Sequence, residues 1–225
     1  MVVLATKLYV EGEARERALD SLRSLVGNEI ADLDVTFEVG VRHDDFPSVT
    51  IEGDDATVAR NVLREEFGEI VPDLEAGEIY VGTLESWDDD GFVLDAGQGD
   101  GVRIPTDELG LGPGSATQIR DRYGLVQHMP LQFVYGDDEP SRLAEETQDR
   151  LYEWTRGDGR LNVNSATRAE VRATLNRAGH AQDYVTVERL GLLEQSVVCT
   201  EGTDPPGLLA SIGEYLPAEL RCVVP

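Results

Sequence analysis

Along the first 75 residues, apolar positions alternate between strand spacing and helix spacing. Val2 to Val10 reads as a strand, after which Ala14, Ala18, Leu22 and Leu25 recur on one helical stripe that ends near Gly27. Leu33, Val35, Phe37, Val39 and Val41 then alternate with polar residues, as a half-buried strand requires. Asp44, Asp45 and Pro47 mark a turn, and Val49 and Ile51 continue the alternation. Asp54 or Asp55 can cap a helix whose apolar face carries Val58, Val62 and Leu63 up to Gly68, and a last strand falls near Ile70. The predicted order is β-α-β-β-α-β, that of a ferredoxin-like unit.

From about Gly77 to Gly136 the helical period vanishes. Short apolar runs at Ile79–Val81, Phe92–Leu94, Val102–Ile104 and Leu131–Val134 are separated by Gly, Pro and Asp, the pattern of a small closed barrel. Pro140 then opens a predicted helix carrying Leu143, Leu151 and Trp154. The first pattern returns after it: a strand at Leu161 and Val163, and a helix opened by the Thr167/Glu170 capping box, lined by Val171, Leu175 and Ala178 and closed by Gly179. Strands at Tyr184–Leu190 and Leu193–Cys199, a helix from Pro205 to Leu216 and a strand at Leu220, Cys222 and Val224 complete it.

Within the middle region, Gly82-Thr83-Leu84-Glu85-Ser86-Trp87-Asp88-Asp89-Asp90-Gly91-Phe92-Val93-Leu94-Asp95-Ala96-Gly97 resembles the opening of an S1-type OB-fold, and Gly101-Val102-Arg103-Ile104-Pro105-Thr106 resembles its next strand. The resemblance implies RNA binding by stacking of bases on exposed aromatics, with Phe92 in the place of one of them. Asp89 and Asp90 stand where a second aromatic is usual, and Ile104 replaces the usual histidine. Taken whole, the chain also resembles members of an archaeal family of unknown function, which implies no activity. The predicted fold is therefore α+β, with two ferredoxin-like βαββαβ units flanking a small S1/OB-like β-barrel: residues 1–75, 76–138, and 139–225, the last including the Pro140 helix.

Charge changes the picture. The chain of 225 residues holds 44 acidic and 19 basic side chains, a net charge of −25, and Lys7 is its only lysine. Acids spread over every segment, with Arg in place of Lys, point to a cytoplasm of very high salt. At about 1 M salt the Debye length shrinks to about 3 Å and the self-repulsion is screened. No apolar run reaches the length of a membrane span, and the N-terminus has no signal-peptide pattern, so the expected location is cytoplasmic.

Against this acidic background, Arg150 to Arg189 contains seven arginines and five acids. Arg168 and Arg172 share one side of the capped helix and Arg160 lies just before it, a candidate face for an anionic partner. Arg120, Arg122, Tyr123 and His128 form a second basic and aromatic group, assigned to the long loop of the barrel. With Phe92 and Arg103, these nine residues are the expected RNA contacts. In molar salt such contacts would rest on stacking, shape and arginine hydrogen bonds rather than counterion release.

No catalytic signature, cofactor motif or metal-ligand spacing is present. His43, His128 and His180 lie in separate segments, and Asp88–Asp90 with Asp95 reads as a solvated turn. Gly97-Gln98-Gly99-Asp100-Gly101 reads as a hairpin turn. Cys199 and Cys222 read as small hydrophobes on strands that flank a third, too far apart for a disulfide. The expected function is a non-enzymatic RNA-binding accessory factor of translation or transcription. The alternative is a protein-interaction module docking on a complex such as the ribosome or RNA polymerase.

Overall fold

A computed structural model describes residues 1–225 as an α+β chain with three antiparallel sheets. The first comprises β1 (Val2–Val3), β2 (Val35–Val41) and β3 (Pro47–Gly53) in the order β1-β3-β2, with helices α1 (Gly12–Glu29) and α2 (Ala56–Phe67). Helix α1 buries Ala18, Leu22 and Val26, one position away from the expected Leu25. The strand expected to run to Val10 stops at Val3. Beyond it single backbone bonds continue, from the Leu4 N–H to the Pro47 carbonyl and from the Leu8 N–H to the Asp45 carbonyl, without a ladder. The expected strand near Ile70 shrinks to one antiparallel bridge between Leu4 and Glu69, with the Ile70 N–H donating to the Val3 carbonyl at 2.8 Å.

The middle sheet runs β6-β5-β4-β7-β8, from β4 (Ile79–Asp88), β5 (Gly91–Asp95), β6 (Val102–Pro105), β7 (Pro130–Val134) and β8 (Arg142–Leu143). A register shift between Leu84 and Ser86 breaks the β4–β5 ladder, as a bulge does. Edge strands β6 and β8 approach each other without pairing. The long loop expected after β6 contains a helix, α3 (Ala116–Arg122), opened by a capping box between Ser115 and Gln118. Nor does the chain turn helical at Pro140: Arg142 and Leu143 first add to β7 as β8, and α4 (Glu145–Trp154) follows. Leu151 and Trp154 of α4 are buried in the middle core, so this helix belongs to the middle unit rather than to the third.

The third sheet runs β10-β11-β9-β12, from β9 (Arg160–Val163), β10 (Tyr184–Arg189), β11 (Gln195–Cys199) and β12 (Leu220–Val223). Helices α5 (Arg168–Arg177) and α6 (Pro205–Ile212) pack Val171, Leu175, Leu208 and Ile212 against Leu161, Val163, Val187 and Val197. The Thr167/Glu170 capping box forms. Cys199 and Cys222 are free thiols on strands either side of β9, and two inter-strand steps exceed the reach of a disulfide.

The three units interlock. Leu192 and Leu193, from the β10–β11 connection, are buried in the core of the first unit, and Val223 of β12 is buried in the middle core. The Leu192 N–H donates to Thr6 Oγ1 at 2.8 Å, and the Asn162 amide donates to the Gly124 carbonyl at 2.9 Å. Burying each leucine contributes about 2 kcal/mol of transfer free energy, so the hairpin tip ties the first unit to the third. No helix is long and apolar enough to cross a membrane.

Candidate functional site

The nine residues expected to touch RNA do not share a surface. Phe92 has no exposed area: period-two alternation along β5 points it and Leu94 inward, where they meet Ile104 of β6 in the middle core. The expectation that it offers a stacking face is therefore wrong. Tyr123, expected in a loop, is 2% exposed at the end of α3, with its ring edge-on to Tyr152 and its hydroxyl donating to the Leu111 carbonyl. Arg120 is 1% exposed: its guanidinium stacks 3.5 Å above the Trp87 ring and pairs with Glu219, so it joins the middle and third units instead of facing a ligand. His128 has φ +66° and is half-buried, its Nδ1 3.1 Å from Glu85. Arg103 is exposed but paired with Asp88 at 2.7 Å, and Arg122 donates to the carbonyls of Leu111 and Pro113.

Arg160 and Arg168 are brought together, and with them Arg150 and Arg189. A cleft of about 540 Å³ is lined by these four arginines together with Glu153, Glu188, Thr186, Trp154 and Leu190. Arg160 opens β9 and stands in register with Val198 of β11 and, beyond it, Thr186 of β10, on the sheet face away from α5 and α6. Arg189 ends β10, and Arg168 is the first residue of α5, directly after its Thr167 cap. Arg150 projects from α4, one turn after Thr147 and one before Trp154. Arg172, the third arginine of the expected face, is exposed outside the cleft.

Two of the four guanidinium groups are pinned. Arg160 pairs with Glu188 and lies 5.2 Å from the Trp154 ring centroid; Arg189 pairs with Glu66 and lies 5.1 Å from that of Phe67. Arg168 makes no ion pair. Arg150 is unusual: it is part-buried, its Nε is sealed from solvent without a hydrogen-bond partner, and no carboxylate pairs with it. Every other arginine lacking a carboxylate partner is exposed. Burial draws the Arg150 guanidinium below its usual range, with Arg160 adding to the effect and Glu146 and Glu188 opposing it. Neither Arg150 nor Arg189 was singled out from the sequence, although both bound the arginine-rich stretch; what the sequence lacked was the packing of α4 against the third sheet.

A second polar cluster lies where the three units meet, and the sequence did not flag it. Lys7 Nζ is 2.6 Å from Glu85 and 2.7 Å from Asp95. The His128 ring stacks on Tyr9 with centroids 3.9 Å apart, and the Tyr9 hydroxyl donates to Glu194 at 2.7 Å while accepting the Ser165 N–H. Burial alone would raise the Glu85 carboxyl, but hydrogen bonds from His128 and Lys7 outweigh it and hold it down at about 2. Glu194 has no exposed area, and burial pushes it up to about 8 against the Tyr9 hydrogen bond. Its Oε2 has no partner. Lys7, Tyr9, Glu85 and His128 find their partners within the cluster, so it acts as a seam between units.

The arginine cleft straddles a boundary that also divides related sequences. Sequence profiles match the DUF2110 N-terminal domain over residues 1–73, the DUF2110 central domain over 74–155 and the DUF2110 C-terminal domain over 158–224. The chain belongs to the DUF2110 family. A search of curated proteins finds no match. In DUF2110 terms, Arg150 comes from the central domain and Arg160, Arg168 and Arg189 from the C-terminal domain, so the cleft exists only where the two are docked.

Proposed function

We propose that this DUF2110 protein is a non-enzymatic accessory factor that docks on a larger assembly, such as the ribosome or RNA polymerase, with the arginine cleft as its point of attachment. One observation carries the reading. In a chain of net charge −25, four arginines from four elements converge on one cleft, and one of them, the part-buried Arg150, has no acidic partner. Such a site attracts a fixed anionic group on a partner, because a desolvated guanidinium gains most from an acceptor delivered to it. The burial of Phe92 and Tyr123 takes those two rings out of base stacking, which favours docking over RNA as the primary ligand.

RNA contact is the second reading, favoured by strand order. The sequence β6-β5-β4-β7-β8 with a helix between β6 and β7 supports an S1/OB-like barrel left open between its edges. The orders β10-β11-β9-β12 and β1-β3-β2 support ferredoxin-like outer units, the first lacking a full fourth strand. On that reading RNA is held by phosphates at the cleft, and the acidic surface reflects a high-salt cytoplasm.

The test is affinity purification in concentrated KCl, with and without nuclease. Protein partners that survive nuclease favour docking. Partners lost with the nuclease, together with RNA recovered by cross-linking in cells, favour the second reading. Recovery of neither overturns both.

A further inference from the structure

We infer that the arginine cleft binds a dianionic phosphate monoester, with Arg150 as its anchor. The inference rests on the reading of the cleft as the place that receives an anionic group and adds the chemistry of that group.

Acidic partners are abundant in this chain, yet Arg150 has none. Glu146 lies one turn before it on α4 and Glu153 three residues after; both are exposed and neither pairs with it. A part-buried guanidinium whose Nε is closed off from water and unbonded is costly, since burial removes its hydration and returns nothing. A fold with this many carboxylates could satisfy the group internally. The terminal nitrogens of Arg150, which are not sealed and make no hydrogen bond within the chain, are left facing a place where four arginines meet, available to an acceptor brought in by a ligand.

Charge and shape select the ligand. The lining holds four arginines and two glutamates, Glu153 and Glu188. With Arg160 paired to Glu188 and Arg189 to Glu66, the unpaired positive charges are those of Arg150 and Arg168, two groups that a phosphate monoester, largely dianionic near neutral pH, can meet at once. A carboxylate or a phosphodiester brings one charge and leaves the other arginine uncompensated. Arg160 and Arg189 are already held by Glu188 and Glu66 and braced on Trp154 and Phe67, so they form a fixed cationic wall. Arg150 and Arg168 are the free forks, and planar guanidinium groups take phosphate oxygens two at a time. The cleft is an open depression, so the body that carries the phosphate can extend from it into solvent. Trp154 is 2% exposed, so no aromatic face is offered to a base and recognition rests on the phosphate itself. A phosphorylated small molecule and a 5′-phosphorylated RNA end present the same group.

The experiment titrates inorganic phosphate into the full-length protein in concentrated KCl at neutral pH, following arginine Nε–Hε signals by NMR. It is repeated with one short oligoribonucleotide carrying either a 5′-phosphate or a 5′-hydroxyl. Saturable phosphate binding that shifts the Arg150 signal is expected, weakened by more than about tenfold in Arg150→Gln and in Arg168→Ala. Arg168 is exposed and unpaired, so its removal leaves the fold intact even if Arg150→Gln does not. Arg172→Ala, outside the cleft, should bind like the parent. Tighter binding of the 5′-phosphorylated oligonucleotide than of phosphate or the 5′-hydroxyl form assigns the source to an RNA end; phosphate binding without that preference assigns it to a small molecule. No saturable binding by the parent, or binding unchanged in both cleft variants, overturns the inference. A partner still recovered by purification would then leave the docking reading standing.

Discussion

Replacing Glu194 with glutamine removes a titration while keeping the shape of the side chain. In the folded protein this carboxyl has no exposed area, accepts one hydrogen bond from Tyr9, and is raised by burial to about 8 from an ordinary 4.5. Glu85 is the nearby charge that raises it further, and His128 reaches it only through the Tyr9 ring. The native state keeps the proton until about pH 8, whereas the unfolded chain releases it near pH 4.5. Between those values the native state binds more protons, so this group makes unfolding easier as pH rises, at about 1.4 kcal/mol per pH unit. By pH 7 the loss from this one site is about 3 kcal/mol relative to acid conditions. Glutamine cannot ionise, so Glu194→Gln should not suffer that decline. Denaturant unfolding in concentrated KCl, followed by Trp87 and Trp154 fluorescence at steps from about pH 5 to about pH 8, gives both curves, and their difference cancels the other carboxylates. The variant should gain on the parent steadily across that window. A difference that stays flat refutes the buried-acid account of the seam.

Three further perturbations test the packing. Phe92→Ala should cost about 3–5 kcal/mol in denaturant unfolding, because the ring fills the middle core; a stable variant with selectively weakened RNA binding would restore the stacking role. Leu192→Ala with Leu193→Ala should each cost about 2–5 kcal/mol and expose the first unit to limited proteolysis, since these residues reach its core from the third; unchanged protection would show the units to be independent. Arg120→Ala should cost about 1–3 kcal/mol, since Trp87 is uncovered while Glu219 keeps Arg221 and the Gln127 N–H; a change below about 0.5 kcal/mol would mean that the pair adds nothing to the junction.

What the sequence disclosed and what it withheld divide along one physical line. Periodicity reports the face an element buries, so β4 to β7 of the middle sheet and the Thr167 cap could be read from spacing, and the separation of the two cysteines from the strand order expected of the third unit, while the two-residue β8 was too short to leave a pattern. The inward facing of Phe92 was legible too, since Phe92, Leu94, Val102 and Ile104 alternate as one core face, but the S1 resemblance drew the reading outward. Helix α3 was announced by Ser115 and Gln118 at capping-box spacing and was missed because glycines surround it. Contacts between units left a weaker trace. The apolar run Leu190-Gly191-Leu192-Leu193 at a hairpin tip signals a loop that inserts elsewhere, yet nothing in it names the receiving core. The cleft was half visible: an arginine-rich stretch marked Arg160 and Arg168, while the convergence of Arg150 and Arg189 on them depends on α4 packing with the middle unit and facing the third.

The account stands on the arginine cleft as the place where this DUF2110 protein meets its partner. Parallel affinity purifications of the parent, Arg150→Gln with Arg168→Ala, and Arg172→Ala, made at equal bait levels in concentrated KCl, test that directly. A partner retained by the parent and by Arg172→Ala but lost from the cleft variant is the predicted result, and a partner held equally by all three would contradict it.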